Sequence, residues 1–357
     1  MGKVNFKEFN MIKYVENKSI NFKSLEDILK DSENLNQYTN KGPAKHKLED
    51  FLKDYLKISS DKSVVCFANG TLALHSLMLL YQRSFGKKIK IAAPSFTFPS
   101  CKVGGFNSSI LDIDLDSYTI PLSEELVNKY DGFIITTLFG TYPKNIKKWQ
   151  SLCKKHKKIL IFDNASSPLS YVGEDNICNM GDASFGSLHH TKFLGFGEGG
   201  FAVVDKEYEA TMNEIAGFGF GASVIRKYNK LSSNFKISDV SSACILQHIK
   251  DFDLEKYKKS QSKLIDIVNK FEGVSVFNNN EGVVFGNLPI VFDDVKKADV
   301  SRFRSLGVEA QKYYRPLVSF KNSNTLYKKI INLPIHSSFS EYHFSLIERV
   351  LKSIILE

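Results

Sequence analysis

Residues 187–200, SLHHTKFLGFGEGG, place one lysine, Lys192, behind a serine, two histidines and a threonine. Four glycines follow at Gly195, Gly197, Gly199 and Gly200, and then a short apolar run, 201–204. An unprotonated lysine amine held between two strands can form a Schiff base with a carbonyl. Glycines let the backbone turn sharply and approach a ligand closely. Most lysines are instead solvated surface charges, and the segment by itself leaves both readings open.

Other residues with chemical potential sit where apolar runs end. Asn69, Gly70 and Thr71 follow the run 63–68 and precede the helical stretch LALHSLMLL. A small-residue turn opening a helix offers free N–H groups and a positive dipole end to a phosphate. It is equally the composition of an ordinary helix cap. Phe98 follows a second run and is placed either to stack on a flat ring or to fill the core. Asp163 closes the run KILIFD. A carboxylate there is costly without a partner, and a cation or a protonated ring nitrogen would supply one. His75 and His156 read as structural. The chain has neither a Walker lysine loop nor G-x-G-x-x-G, which disfavours nucleotide hydrolysis and dinucleotide binding.

The elements that must position these residues alternate. Strands are expected at 63–68, near 90–94, at 109–114, 132–137, 158–163, 183–187 and 200–205. Helices are expected between them, one beginning at 95–101 and one over 147–156. Near-continuous apolar strands alternating with helices argue for a mostly parallel sheet covered on both faces. Ligands in such sheets sit at the carboxyl ends of the strands. The fold expected is therefore α/β, with a large domain built on a mostly parallel seven-stranded sheet and a small C-terminal α+β domain. The large domain with its N-terminal segment takes 1–235, and the small domain 236–357. Residues 1–60 read as polar and helical, broken by a loop at Gly42-Pro43. Residues 218–233 read as a long functional loop. In the small domain a helix is expected at 295–306, a strand at 308–313 and a terminal helix from Ser340.

Composition narrows the classes. The 357 residues carry a formal charge of +9 with 24% charged residues. The lysines are scattered, and no nucleic-acid-binding module accompanies them. Anionic small molecules are the partners such a surface favours. No apolar run reaches membrane-spanning length. Five scattered cysteines, with no C-x-x-C pair, indicate neither a zinc site nor a disulfide framework and point to the reducing cytoplasm.

Taken in order, the motifs resemble the DegT-type family of pyridoxal-phosphate sugar aminotransferases, of the aspartate aminotransferase fold type I. YTNKGP with LEDFL resembles its entry segment, and ANGTLALH its phosphate turn. APSFTF, IFDNAS and SLHHTKFLGFGEGG resemble its aromatic strand end, acidic segment and cofactor-lysine segment. SNFKISDV and LPIHSSF resemble two later segments, so the likeness runs from about Tyr38 to the C-terminal helix. The resemblance implies the cofactor pyridoxal 5'-phosphate. It implies that Lys192 links to the cofactor and shuttles a proton, and that Asp163 pairs with the pyridine nitrogen. Phe98 would stack on the ring, while Gly70, Thr71 and Ser187 would hold the phosphate. Asn234 would reach the partner's phosphate across a homodimer whose active site is shared.

The chain departs from the family pattern at three positions. Ser166 stands where the family has Gln or His near the ring's 3-hydroxyl, so that contact is lost or passes to Ser167 or a water. Lys236 replaces an arginine, which removes a bidentate contact. Leu188 replaces an aromatic residue. His190, Tyr314 and Arg315 are candidate substrate contacts. Relatives with histidine at the lysine position dehydrate or deoxygenate sugars, so Lys192 favours amino transfer. The expected reaction carries an amino group from glutamate to a keto-sugar on a nucleoside diphosphate, for polysaccharide or glycoconjugate synthesis. A small phosphorylated ketone as acceptor, a sugar dehydratase and a non-catalytic sensor are the alternatives.

Overall fold

A computed structural model describes residues 11–104, 108–219 and 232–356. Its centre is a seven-stranded sheet of β1 (Lys62–Phe67), β2 (Ile91–Pro94), β3 (Ser109–Leu111), β4 (Gly132–Thr136), β5 (Ile159–Asp163), β6 (Ala183–Ser187) and β7 (Gly200–Asp205). The strand order is β1-β7-β6-β5-β4-β2-β3. The pairs β2–β3, β2–β4, β4–β5 and β5–β6 are parallel. β7 runs antiparallel between β1 and β6. Every other strand therefore runs the same way, as the apolar patterning predicts.

Side chains alternate across this sheet and build two layers. Val64, Cys66, Phe133, Leu160, Phe162 and Phe201 face one buried cluster. Val65, Phe67, Ile134, Ile161, Phe185 and Ala202 face the other. Helix α3 (Gly70–Phe85) covers the second layer and is buried over most of its surface, as its largely apolar composition requires. Helices α1 (Phe22–Asn34) and α2 (Pro43–Tyr55) pack with the helix Asp239–Asp251. Buried Asp239 ties them together, since its carboxylate accepts from Ser32 Oγ and from the N–H groups of Ala44 and Lys45. The smaller unit is a three-stranded antiparallel sheet, β8 (Val274–Val276), β9 (Leu288–Phe292) and β10 (Ile330–Leu333). The terminal helix Glu341–Leu356 packs with the helix Leu254–Val268.

Four expectations fail locally. Pro99–Cys101 forms one 3-10 turn rather than a helix, because prolines bracket residues 95–98 and exclude the helical conformation before them. Residues 12–20 are not helical but extended, apart from a bridge of Ile12 to Val308. Residues 308–313 make only isolated bridges, not a strand. The segment 295–306 splits into a 3-10 turn, Val295–Lys297, and the helix Val300–Ser305, because Asp299 caps the latter through Ser301 N–H.

Candidate active site

The strand directions bring the candidate residues to one edge of the large sheet. β1, β4, β5 and β6 deliver their C-terminal ends there, and antiparallel β7 begins there. Thr136, Asp163 and Phe185 are in register across β4, β5 and β6. The loop from β6 to β7, which carries Lys192, spans the same edge, with Ser187 paired to Gly200. A cavity of about 550 Å³ opens at this edge. Asn69, Gly70, Thr71, Phe98, Asp163, Ser166, Ser187, Lys192 and Tyr314 all line it.

One side of the cavity suits a phosphate. Asn69 caps α3 by accepting from Leu72 N–H. The amides of Gly70 and Thr71 belong to the first turn and have no intrahelical acceptor. The macrodipole adds a partial positive charge. Backbones approach closely here: a Cβ on Gly200 would lie 2.3 Å from Gly70 N, and one on Gly70 would lie 3.3 Å from Ser187 Cβ. The glycines therefore let β6, β7 and the start of α3 converge.

The opposite end is anionic. Asp163 is buried and accepts one hydrogen bond, from Ala165 N–H at 3.0 Å. Burial pushes its carboxyl up to about 6, against the pull of the Ala165 bond and the Lys192 charge. Lys192 as a residue is half-buried, but its ammonium end is enclosed, and burial lowers its pKa while Asp163 opposes the fall. Burial thus brings the two ionisations toward each other. Both conditions suit pyridoxal 5'-phosphate. Its ring nitrogen would restore the charge on Asp163, its aldehyde would meet an amine that gives up its proton readily, and its phosphate would find the α3 cradle.

Tyr314 closes a third side. Its ring stacks on Phe139 at 5.5 Å and meets Phe96 edge-on. Burial raises its pKa, and a hydrogen bond to Ser166 opposes the rise, so the phenol stays protonated. The short Ser166 side chain leaves room for this contact. Phe98 is 56% exposed and stands at the mouth.

A second cavity, about 630 Å³, adjoins the first and shares Phe98, Ser166, Thr191, Lys192 and Tyr314 with it. Its further polar lining includes Tyr14, Glu16, Lys18, Asn287, Glu309 and Gln311. The Tyr14 hydroxyl and Asn287 Oδ1 are buried without a hydrogen-bond partner among the described residues. Sequence reasoning missed this chamber. Its walls come from the extended N-terminal strap and from residues 286–287, and no local motif marks either.

Three candidates lie elsewhere in this chain. His190 is not among the cavity residues, and its ring meets Phe196 edge-on. His189 takes the lining position instead and contacts Thr191 Oγ1 at 2.9 Å. Arg315 is exposed and lines neither cavity. Asn234 is exposed, bridged by its backbone to Gly217, and outside both cavities. Of the loop expected at 218–233, residues 220–231 lie outside the described part of the chain. Lys236 places its ammonium 4.8 Å from the Phe218 ring centre.

Comparison with known proteins identifies the family. The model of the DegT/DnrJ/EryC1/StrS aminotransferase family covers residues 21–354. Protein Mb3436c of Mycobacterium bovis is 26% identical over 79% of this chain and 71% of its own length. The dTDP-4-amino-4,6-dideoxy-D-glucose transaminase of Shigella dysenteriae is 22% identical over 88% of this chain and 92% of its own. Among solved structures, Helicobacter pylori PseC, an aminotransferase involved in the biosynthesis of pseudoaminic acid, superposes with a TM-score of 0.81. It is 18% identical and covers 97% of this chain and 99% of its own.

Proposed function

Because the chain belongs to the DegT/DnrJ/EryC1/StrS aminotransferase family, we propose that it moves an amino group from glutamate to a keto-sugar carried on a nucleoside diphosphate. It is an aminotransferase that uses pyridoxal 5'-phosphate. When bound, that cofactor supplies an electron sink for the substrate carbon that loses a proton.

The chain's residues divide the remaining work. The α3 N-terminus, Thr71 and Ser187 bind the phosphate. Asp163 holds a negative charge against the ring nitrogen and keeps it protonated. Phe98 covers one ring face. Ser166 stands where the family pattern has Gln or His, and with the Tyr314 phenol that hydrogen-bonds it, takes over the contact to the ring's 3-hydroxyl. Lys192 Nζ, its basicity lowered by burial, takes up the proton released by the amino-bearing substrate carbon and holds it for return within the same pocket. In a homodimer, Asn234 of the partner subunit completes the phosphate cradle. The product feeds polysaccharide or glycoconjugate synthesis, and the cytoplasm is the site of reaction. Among the described residues, no helix is long and apolar enough to cross a membrane.

The observation that carries the acceptor assignment is the second cavity. It shares the Lys192 wall and presents buried polar atoms of Tyr14 and Asn287 that have no partner among the described residues. Such atoms are costly unless a ligand completes them, and a polyhydroxylated ring can do so. The Shigella relative, named for a dideoxy-sugar on dTDP, supports the same class. The test is a panel of nucleotide-linked keto-sugars and small keto-phosphates incubated with glutamate and read by mass spectrometry. Amination confined to the nucleotide-linked sugars supports the proposal. Amination confined to small keto-phosphates would replace it.

A further inference from the structure

The Lys18 ammonium sits among three carbonyl oxygens of the loop that carries Lys192. It donates to His190 O at 2.8 Å and also to the carbonyls of Lys192 and Gly195. An ammonium has three donors and no acceptor, so this cage satisfies it completely. Another carbonyl of the stretch, Phe193 O, accepts from His248 Nε2 at 2.8 Å. The loop is wound tightly: a Cβ on Gly195 would lie 2.0 Å from His189 O. Its carbonyl dipoles therefore converge, and without a cation between them they repel.

Lys18 is itself held in place. Two residues earlier, Glu16 accepts from the N–H and Oγ of both Ser337 and Ser338, at 2.6 to 3.1 Å. Tyr14 N–H donates to Glu309. The extended strap is thus pinned at one end to residues beyond β10 and at the other to the catalytic loop. Burial lowers the Lys18 pKa to about 8, while Glu16 opposes the fall, so the ammonium is charged at pH 7.

We propose that Lys18 is a positioning residue: its ammonium gathers the loop carbonyls at a point and so fixes the aim of the Lys192 side chain into the cavity. It does not touch the reacting atoms. The proposal rests on the reading of Lys192 as the cofactor-linked lysine, but the cage itself exists without any cofactor.

The test uses Lys18→Met, which keeps length and removes charge, and Lys18→Ala, which leaves space for an ion. Hydrogen exchange of the 189–197 amides in the cofactor-free protein comes first. Exchange in Lys18→Met should rise at least tenfold in this loop and remain unchanged in β4 and β5. Borohydride trapping of pyridoxal phosphate on Lys192 should then slow about tenfold, with kcat falling more than KM changes. Ammonium ions at tens of millimolar should restore part of the trapping rate to Lys18→Ala, and lithium should not. Unchanged loop exchange in either folded variant, or a trapping rate equal to wild type, would overturn the proposal. If wild type failed to trap on Lys192, the catalytic assignment would fall, and the exchange result would still decide the role of Lys18.

Discussion

Asp163 at the end of β5 and Lys192 in the β6–β7 loop share one buried cavity, and burial drives their pKa values in opposite directions. The carboxyl rises to about 6 and the amine falls. Each is kept from neutralising fully by the other. Among the described residues the Asp163 carboxylate accepts one hydrogen bond, from Ala165 N–H. A cationic ring nitrogen would give that carboxylate a second partner.

Asp163 should cost the cofactor-free protein stability. Its folded pKa lies above its unfolded one, so the folded state binds the proton more tightly. Stability is then greatest below the unfolded value of 3.8 and is lost as pH rises through about 6. Asp163→Asn should therefore stabilise the cofactor-free protein by about 2–3 kcal/mol at pH 8 and by little at pH 4. Denaturant melts at the two pH values check this, and an equal effect at both would contradict it. The same variant should bind pyridoxal phosphate more weakly.

Gly200→Ala should damage the phosphate cradle from the far side of the sheet edge. The added methyl would meet Asn69 C and Gly70 N at 2.3 Å. Overpacking of this kind costs about 1–3 kcal/mol. Because backbone must move, the start of α3 moves with it. Cofactor affinity by fluorescence titration should fall at least tenfold. Ser187→Ala, which removes a donor without moving backbone, should lose less.

Tyr314→Phe keeps the stack on Phe139 and removes the hydroxyl that reaches Ser166. Cofactor affinity should fall about tenfold, the value of one hydrogen bond of about 1.4 kcal/mol, with a shift in the visible absorbance of the bound cofactor. Unchanged affinity and spectrum would remove Tyr314 from the 3-hydroxyl contact.

A shared site makes a prediction about mixtures. Lys192→Ala and Asn234→Ala should each be nearly inactive. Refolded together in equal amounts, they should regain about a quarter of wild-type activity, since half the dimers are mixed and each holds one intact site. No recovery, with mixed dimers shown to form, would place Asn234 outside the partner's site.

What could be read from the sequence follows from where each signal resides. Asp163, Gly70, Thr71 and Ser187 end apolar strands or begin an apolar helix, so period and punctuation point to them directly, and the sheet brings them together as expected. Lys192 was marked by its glycines. The second cavity left no such trace. Tyr14, Glu16 and Lys18 lie on a strap whose conformation is set by distant partners, Glu309, Ser337, Ser338 and the 190–195 carbonyls. In the tightly turned loop before Lys192 it is His189, not the neighbouring His190, that lines the cavity, and sequence spacing does not tell the two apart. Arg315 follows Tyr314 directly but is exposed and lines neither cavity.

The most direct measurement is the site of covalent attachment. The protein is incubated with pyridoxal phosphate, reduced with borohydride, digested, and its peptides weighed. The added mass should fall on Lys192 alone and should disappear in Lys192→Ala. Attachment at another lysine, or none with the fold intact, would contradict the assignment of this cavity as the catalytic centre.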